Sequence, residues 1–118
     1  MTLYDDYRNT DYLDDVSFIA GTEFTLNFPV HNSYGTPLNV NASSMKWVLS
    51  RYGQPEIPIL QKDCVISASS VFSLTLKEED TIDLGDTYLQ QLQLTDFYGK
   101  VTRPAQGVVV IRKAIPIT

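Results

Sequence analysis

The sequence predicts an all-β domain built as a two-sheet sandwich. Three observations predict it: apolar and polar residues alternate with a period of two in several short runs, turn-forming residues separate those runs, and no long helical pattern intervenes. At 118 residues the chain fits one domain, and a chain of this length can bury a core without disulfide or metal support. A hydrophobic share of 43% against a charged share of 19% is the balance of a globular chain rather than a disordered one.

Residues 1–16 stand apart. They hold Asp5, Asp6, Asp11, Asp14 and Asp15 against Arg8, with Tyr4, Tyr7 and Tyr12 between them. They show neither helical nor strand periodicity. The reading is a solvated, flexible acidic N-terminal arm, with residues 17–118 as the folded domain. The sharper alternative is an arm that orders against a neighbouring subunit through its tyrosines.

The strands follow in order. Residues 17–20 make a short apolar start that Gly21 ends. Residues 23–30 place Phe24, Leu26, Phe28 and Val30 on one face, with Pro29 marking an edge or a bulge. Residues 32–37 are a turn by composition, and Leu38 and Val40 are apolar anchors beyond it. Residues 45–52 bring Met45, Trp47 and Leu49 together. Tyr52 and Gly53 open a turn, and residues 57–62 read as a short strand limited by prolines. Val65 and Ile66 follow Cys64. Residues 71–76 set Phe72, Leu74 and Leu76 on one face. Residues 77–86 break the period and are the one candidate for a helical turn. Residues 88–96 place Tyr88, Gln90, Leu92 and Leu94 together, and 96–100 is a turn. Residues 101–111 form the last strand, with Pro104 and Gly107 as irregularities. About seven strands at this spacing, with Trp47 central on the third, describe a disulfide-free, immunoglobulin-like sandwich.

Composition excludes several functions. A net charge of −5 without a basic patch argues against nucleic acid and against anionic membrane surfaces as partners. Cys64 is the single cysteine, which fits folding in a reducing cytoplasm. The acidic start lacks the basic and apolar regions of a signal peptide, and no apolar run approaches the ~20 residues of a spanning helix. The expectation is synthesis in the cytoplasm.

Candidates for chemistry are few. His31 and Cys64 are the only pair that a nucleophilic thiol and its base could use, and no signature surrounds either. Cys64 beside Val65 and Ile66 reads as a buried, inert thiol. Asp80, Asp83 and Asp86 recur every three residues but lack the glycine and terminal glutamate of a calcium loop. They read as capping and turn residues. There is no phosphate-binding loop, metal-type spacing or nucleophile elbow. No catalytic, cofactor-binding or metal-ligating residue is assigned, and a non-enzyme is expected. Tyr34, Tyr52 and Tyr98 fall in predicted turns. Together with Tyr4, Tyr7 and Tyr12 they are the candidate partner contacts, against the plainer reading of ordinary loop residues.

The order of pieces resembles a known module. Residues 21–28 (GTEFTLNF) are similar to its opening strand, and residues 34–40 (YGTPLNV) to its Gly-x-Pro-Val-Asp-Leu turn. Residues 42–49 (ASSMKWVL) are similar to the strand that follows. Residues 72–81 (FSLTLKEEDT) resemble its strand running into a Thr-x-Glu-Asp-Thr turn, and residues 85–101 its Gly-x-Tyr strand with the exit turn. The module is the immunoglobulin-like domain of tailed-bacteriophage virion proteins, including the N-terminal domains of baseplate upper proteins. The resemblance spans residues 17–111 and leaves out the acidic segment. It implies a structural virion part, in tail, baseplate or capsid surface, whose partners are other virion subunits and further copies of itself. The alternative is a recognition module that binds host saccharide or a surface protein through its loops. Gly85 is expected to support a sharp turn. Tyr88 is expected at the corner, where a hydroxyl hydrogen bond ties the strand ends.

Overall fold

The computed structural model describes residues 11–31 and 35–116. Tyr4, Tyr7 and Tyr34 therefore lie outside the described residues. The elements run in the order β1 Asp11–Tyr12, β2 Val16–Ile19, β3 Phe24–Pro29, β4 Ser44–Arg51, β5 Gln54–Asp63, β6 Val65–Ala68, β7 Val71–Leu76, α1 Glu78–Thr81, β8 Asp86–Thr95 and β9 Val101–Arg112.

They form two sheets. The larger has the order β1-β9-β8-β4-β5, with β2 also pairing β9, and the smaller has the order β3-β7-β6. β1 and β2 are two pieces of one edge, both parallel to β9. Every other strand pair is antiparallel. A sheet in which the last strand, its hairpin partner and β4 lie side by side, facing a second sheet of β3, β7 and β6, is the immunoglobulin arrangement. The domain is an all-β, two-sheet, immunoglobulin-like sandwich without a disulfide.

The period-two runs fold as strands because alternate side chains point into one interior. On β3, Leu26 and Phe28 are buried while Thr25 and Asn27 face out. On β4, Met45, Trp47 and Leu49 are buried, and on β8 so are Tyr88, Gln90, Leu92 and Leu94. Trp47 is fully enclosed at the centre of the cluster. Its indole Nε1 donates to Gln90 Oε1 at 2.8 Å, which gives the one buried tryptophan donor an acceptor inside the core. Tyr88 is the expected corner residue: it is buried, and its hydroxyl accepts from the Gly85 N–H at 3.1 Å. Gly85 itself is not among the positive-φ glycines, so no left-handed backbone conformation requires a glycine there. What its missing Cβ provides is room for the Lys113 side chain.

Three further features depart from the sequence reading. Strand pairing is already present at Asp11, the first described residue, inside the segment read as an arm. Asp11 and Tyr12 pair with Ala105 and Gln106, and the Leu13 N–H donates to Gln106 O at 2.7 Å. Gly107 permits this approach, because a Cβ there would lie 2.7 Å from Leu13 Cβ and 2.9 Å from Leu13 O. Residues 1–10 of that segment lie outside the described residues. Second, β5 is a ten-residue strand rather than a short one. Pro55 and Pro58 are tolerated because β5 is an edge, and its register against β4 shifts on both sides of Ser50. Third, only Cys64 separates β5 from β6, so the chain passes from one sheet to the other without a loop. The irregularity expected at Pro104 is a bulge: Arg103 and Pro104 together oppose Gln93.

Gln90→Leu puts an apolar group of similar size in place of the amide and leaves the Trp47 N–H buried without an acceptor. The expected loss is about 1–3 kcal/mol of unfolding free energy, read from the urea midpoint. An unchanged midpoint would show that the bond does not stabilise the core.

Candidate protein-contact surface

The β8–β9 hairpin carries the most exposed aromatic pair among the described residues. Its loop is built by Asp96 and Gly99. The Asp96 carboxylate Oδ1 accepts from the N–H groups of Tyr98 and Lys100, both at 2.9 Å. The Asp96 N–H donates to Lys100 O and the Gly99 N–H to Asp96 O, each at 3.0 Å. Gly99 adopts φ +82°, the left-handed position that ends a three-residue hairpin loop at low cost. The backbone is therefore fixed on both sides of the two residues between. Those residues are Phe97 and Tyr98, 70% and 89% exposed. Their rings meet edge to face, with centroids 5.2 Å apart and planes at 82°. Val101, at the foot of the hairpin, is half exposed.

The sequence-predicted contact residues do not converge. Tyr98 follows the end of β8, whereas Tyr52 follows the end of β4 and donates its N–H to Thr87 O at the start of β8. Because β4 and β8 are antiparallel, Tyr52 and Tyr98 stand at opposite poles of the domain. Tyr12 lies on β1 opposite Gln106. Sequence reasoning found Tyr98 but passed over Phe97 beside it. The available signal was a second large apolar residue in a loop whose geometry needs only Asp and Gly.

Two other surfaces carry exposed apolar side chains. One is the start of β6, where Val65 and Ile66 are exposed. The other is a groove of about 480 Å³ beside the end of β9, lined by Ile19, Arg112, Lys113, Ala114 and Ile115. A third hollow, about 350 Å³, opens between β3 and the β1–β2 edge, with Leu13, Asp14, Leu26, Phe28 and Gln90 among its walls.

The titratable candidates are placed as follows. Cys64 is half-buried at the sheet switch, its N–H bonded to Met45 O. Burial first, and then the neighbouring Asp63 charge, push its thiol up to about 12. His31 forms an isolated bridge with Pro37 and lies on a different connection. Asp80 accepts from the Lys77 N–H at 2.7 Å and from Lys62 Nζ at 2.9 Å. Burial raises its carboxyl, but the Lys62 and Lys77 contacts outweigh burial and hold it below the usual carboxylate range. Asp86 Oδ1 accepts from the Thr87 N–H. Among the described residues no group of three or more His, Cys, Asp or Glu is placed to hold a metal ion.

No protein-family model and no curated protein matches the chain.

Two outcomes follow from the titratable groups. With its thiol near 12 rather than 9.0, Cys64 carries roughly a thousandfold less thiolate at pH 8 in the folded chain than in the unfolded one. Maleimide labelling of native protein should be slower by that order than labelling in urea, and equal rates would contradict a shielded thiol. Asp80 titrates lower in the folded chain, so its stabilisation is complete above the ordinary carboxylate range and is lost as pH falls through the folded value. Asp80→Asn should therefore show a smaller drop in urea midpoint between about pH 7 and about pH 3 than the parent chain.

Proposed function

We propose that the domain is a non-catalytic structural component of a tailed-bacteriophage particle, working through contacts with neighbouring subunits. The observation that carries the assembly part of this reading is the Phe97–Tyr98 tip. Two large rings stand in water on a loop whose backbone is already fixed by Asp96 and Gly99. Ordering a loop is a main cost of forming an interface, and here it is met before any partner arrives. Exposed aromatic residues on rigid supports are the usual anchors of protein contacts.

The virion part of the reading rests on the resemblance over residues 17–111. Under it the partners are other virion subunits and further copies of the chain, and the protein is made in the bacterial cytoplasm before incorporation. Placement of exposed residues at both poles suits a part shared between two neighbours. It suits saccharide recognition less well, because Tyr52 and Tyr98 cannot line one site.

The test is incorporation. Particles from the source culture are banded on a density gradient and probed with an antibody to the purified domain. The chain should band with the particles in fixed ratio to a major particle protein, and Phe97→Ser with Tyr98→Ser should lower that ratio several-fold. A chain found only in the soluble fraction would sink the virion reading.

A further inference from the structure

We infer that the Phe97–Tyr98 tip of one copy docks into the Ile19–Ile115 groove of the next, joining copies head to tail. The inference rests on the reading of the domain as an assembly part and names its partner as a second copy of this chain.

The two surfaces lie at opposite ends of one strand. β9 begins beside the hairpin tip and ends at Arg112, in the groove wall. Twelve residues of strand span about 40 Å, so tip and groove cannot meet within one copy. The domain is 50 Å along its longest axis. A second copy displaced along that axis brings its tip to the groove of the first.

Their chemistry is complementary. The groove's apolar lining is Ile19, Ala114 and Ile115, with Ile19 48% and Ile115 85% exposed, beside the exposed cations Arg112 and Lys113. The tip offers two aromatic faces, which attract cations placed over them. A groove of about 480 Å³ is also of the size class that accepts a compact apolar group.

Size sets the strength. Two aromatic side chains bury about 150–250 Å² each, which leaves the whole contact below the roughly 1,200 Å² of a standard stable interface. The contact is weak as a pair and gains from repetition. Because each copy keeps one free tip and one free groove, the contact propagates into a ring or a filament rather than stopping at a dimer.

The test is sedimentation velocity on the full chain from about 10 μM to about 1 mM. Two variants accompany it: a tip variant, Phe97→Ser with Tyr98→Ser, and a groove variant, Ile115→Glu. All three positions are exposed, and a thermal melt checks that the fold is kept. The parent's average mass should rise with concentration, and each variant alone should stay monomeric. An equal mixture of the two should form a pair that grows no further, since the tip variant still has a groove and the groove variant still has a tip. A parent that stays monomeric, or a groove variant that associates like the parent, overturns the inference. In that case tip-dependent incorporation into particles would leave the assembly reading standing with another partner, whereas absence from particles would remove that reading as well.

Discussion

Trp47 cannot be buried without an acceptor for its indole N–H, and that constraint sets the register of the larger sheet. The acceptor is Gln90 on the neighbouring strand. In the ladder Trp47 faces Leu92 and Leu49 faces Gln90, so the bond runs diagonally across one face. A slip of one residue between β4 and β8 would turn Gln90 to the outer face and strand the indole. That slip would also turn Tyr88, Leu92 and Leu94 outward, so the polar pair adds most against a two-residue slip, which keeps the apolar faces inward but moves Gln90 relative to the indole. β9 and β5 then take their places from β8 and β4, the two strands that carry the pair.

The edges follow from close approach. β9 holds β8 on one side and the β1–β2 edge on the other, and Gly107 supplies the room for Leu13. Just upstream, the bulge at Arg103 and Pro104 interrupts the ladder, and proline has no N–H to offer a further parallel partner. Among the described residues the parallel edge starts at Ala105. Because the first strands join β9, β3 pairs only with β7 among the described residues. On the opposite side the single residue Cys64 carries the chain between sheets. Its backbone still bonds to β4 while its thiol is pressed against the neighbouring apolar surface, which is why burial dominates its titration.

Much of this was legible because half-buried strands have a period. Residues 23–30, 45–52, 71–76 and 88–96 announced their inward faces, and the helical turn showed as the break between two of them. β1 was not legible: the acidic segment around it shows no period-two alternation, and the signal lay in Gly107 on the partner strand. β5 was misjudged because proline limits a central strand but not an edge with bulges, and nothing local states which a strand will be. Gly85 was assigned to backbone freedom when the space it leaves is taken by Lys113. Of the two exposed rings at the hairpin tip, the sequence reading singles out Tyr98 by its turn and passes over Phe97.

Turn chemistry explains Asp96 and Gly99, and core chemistry explains Tyr88, whose hydroxyl has a backbone partner and whose ring is enclosed. Neither explains Phe97 or Tyr98. The three-residue loop would close with polar residues at both positions, since Asp96 and the backbone make the hydrogen bonds that close it. Polar residues there would also lower the risk that exposed apolar groups bring. The same holds for Ile19 and Ile115 at the far pole, whose exposure contributes little to the core. A residue that the fold does not require, and that solubility disfavours, is the place to look for a partner. In this domain such residues stand at both ends of β9, beside others on β5 and β6.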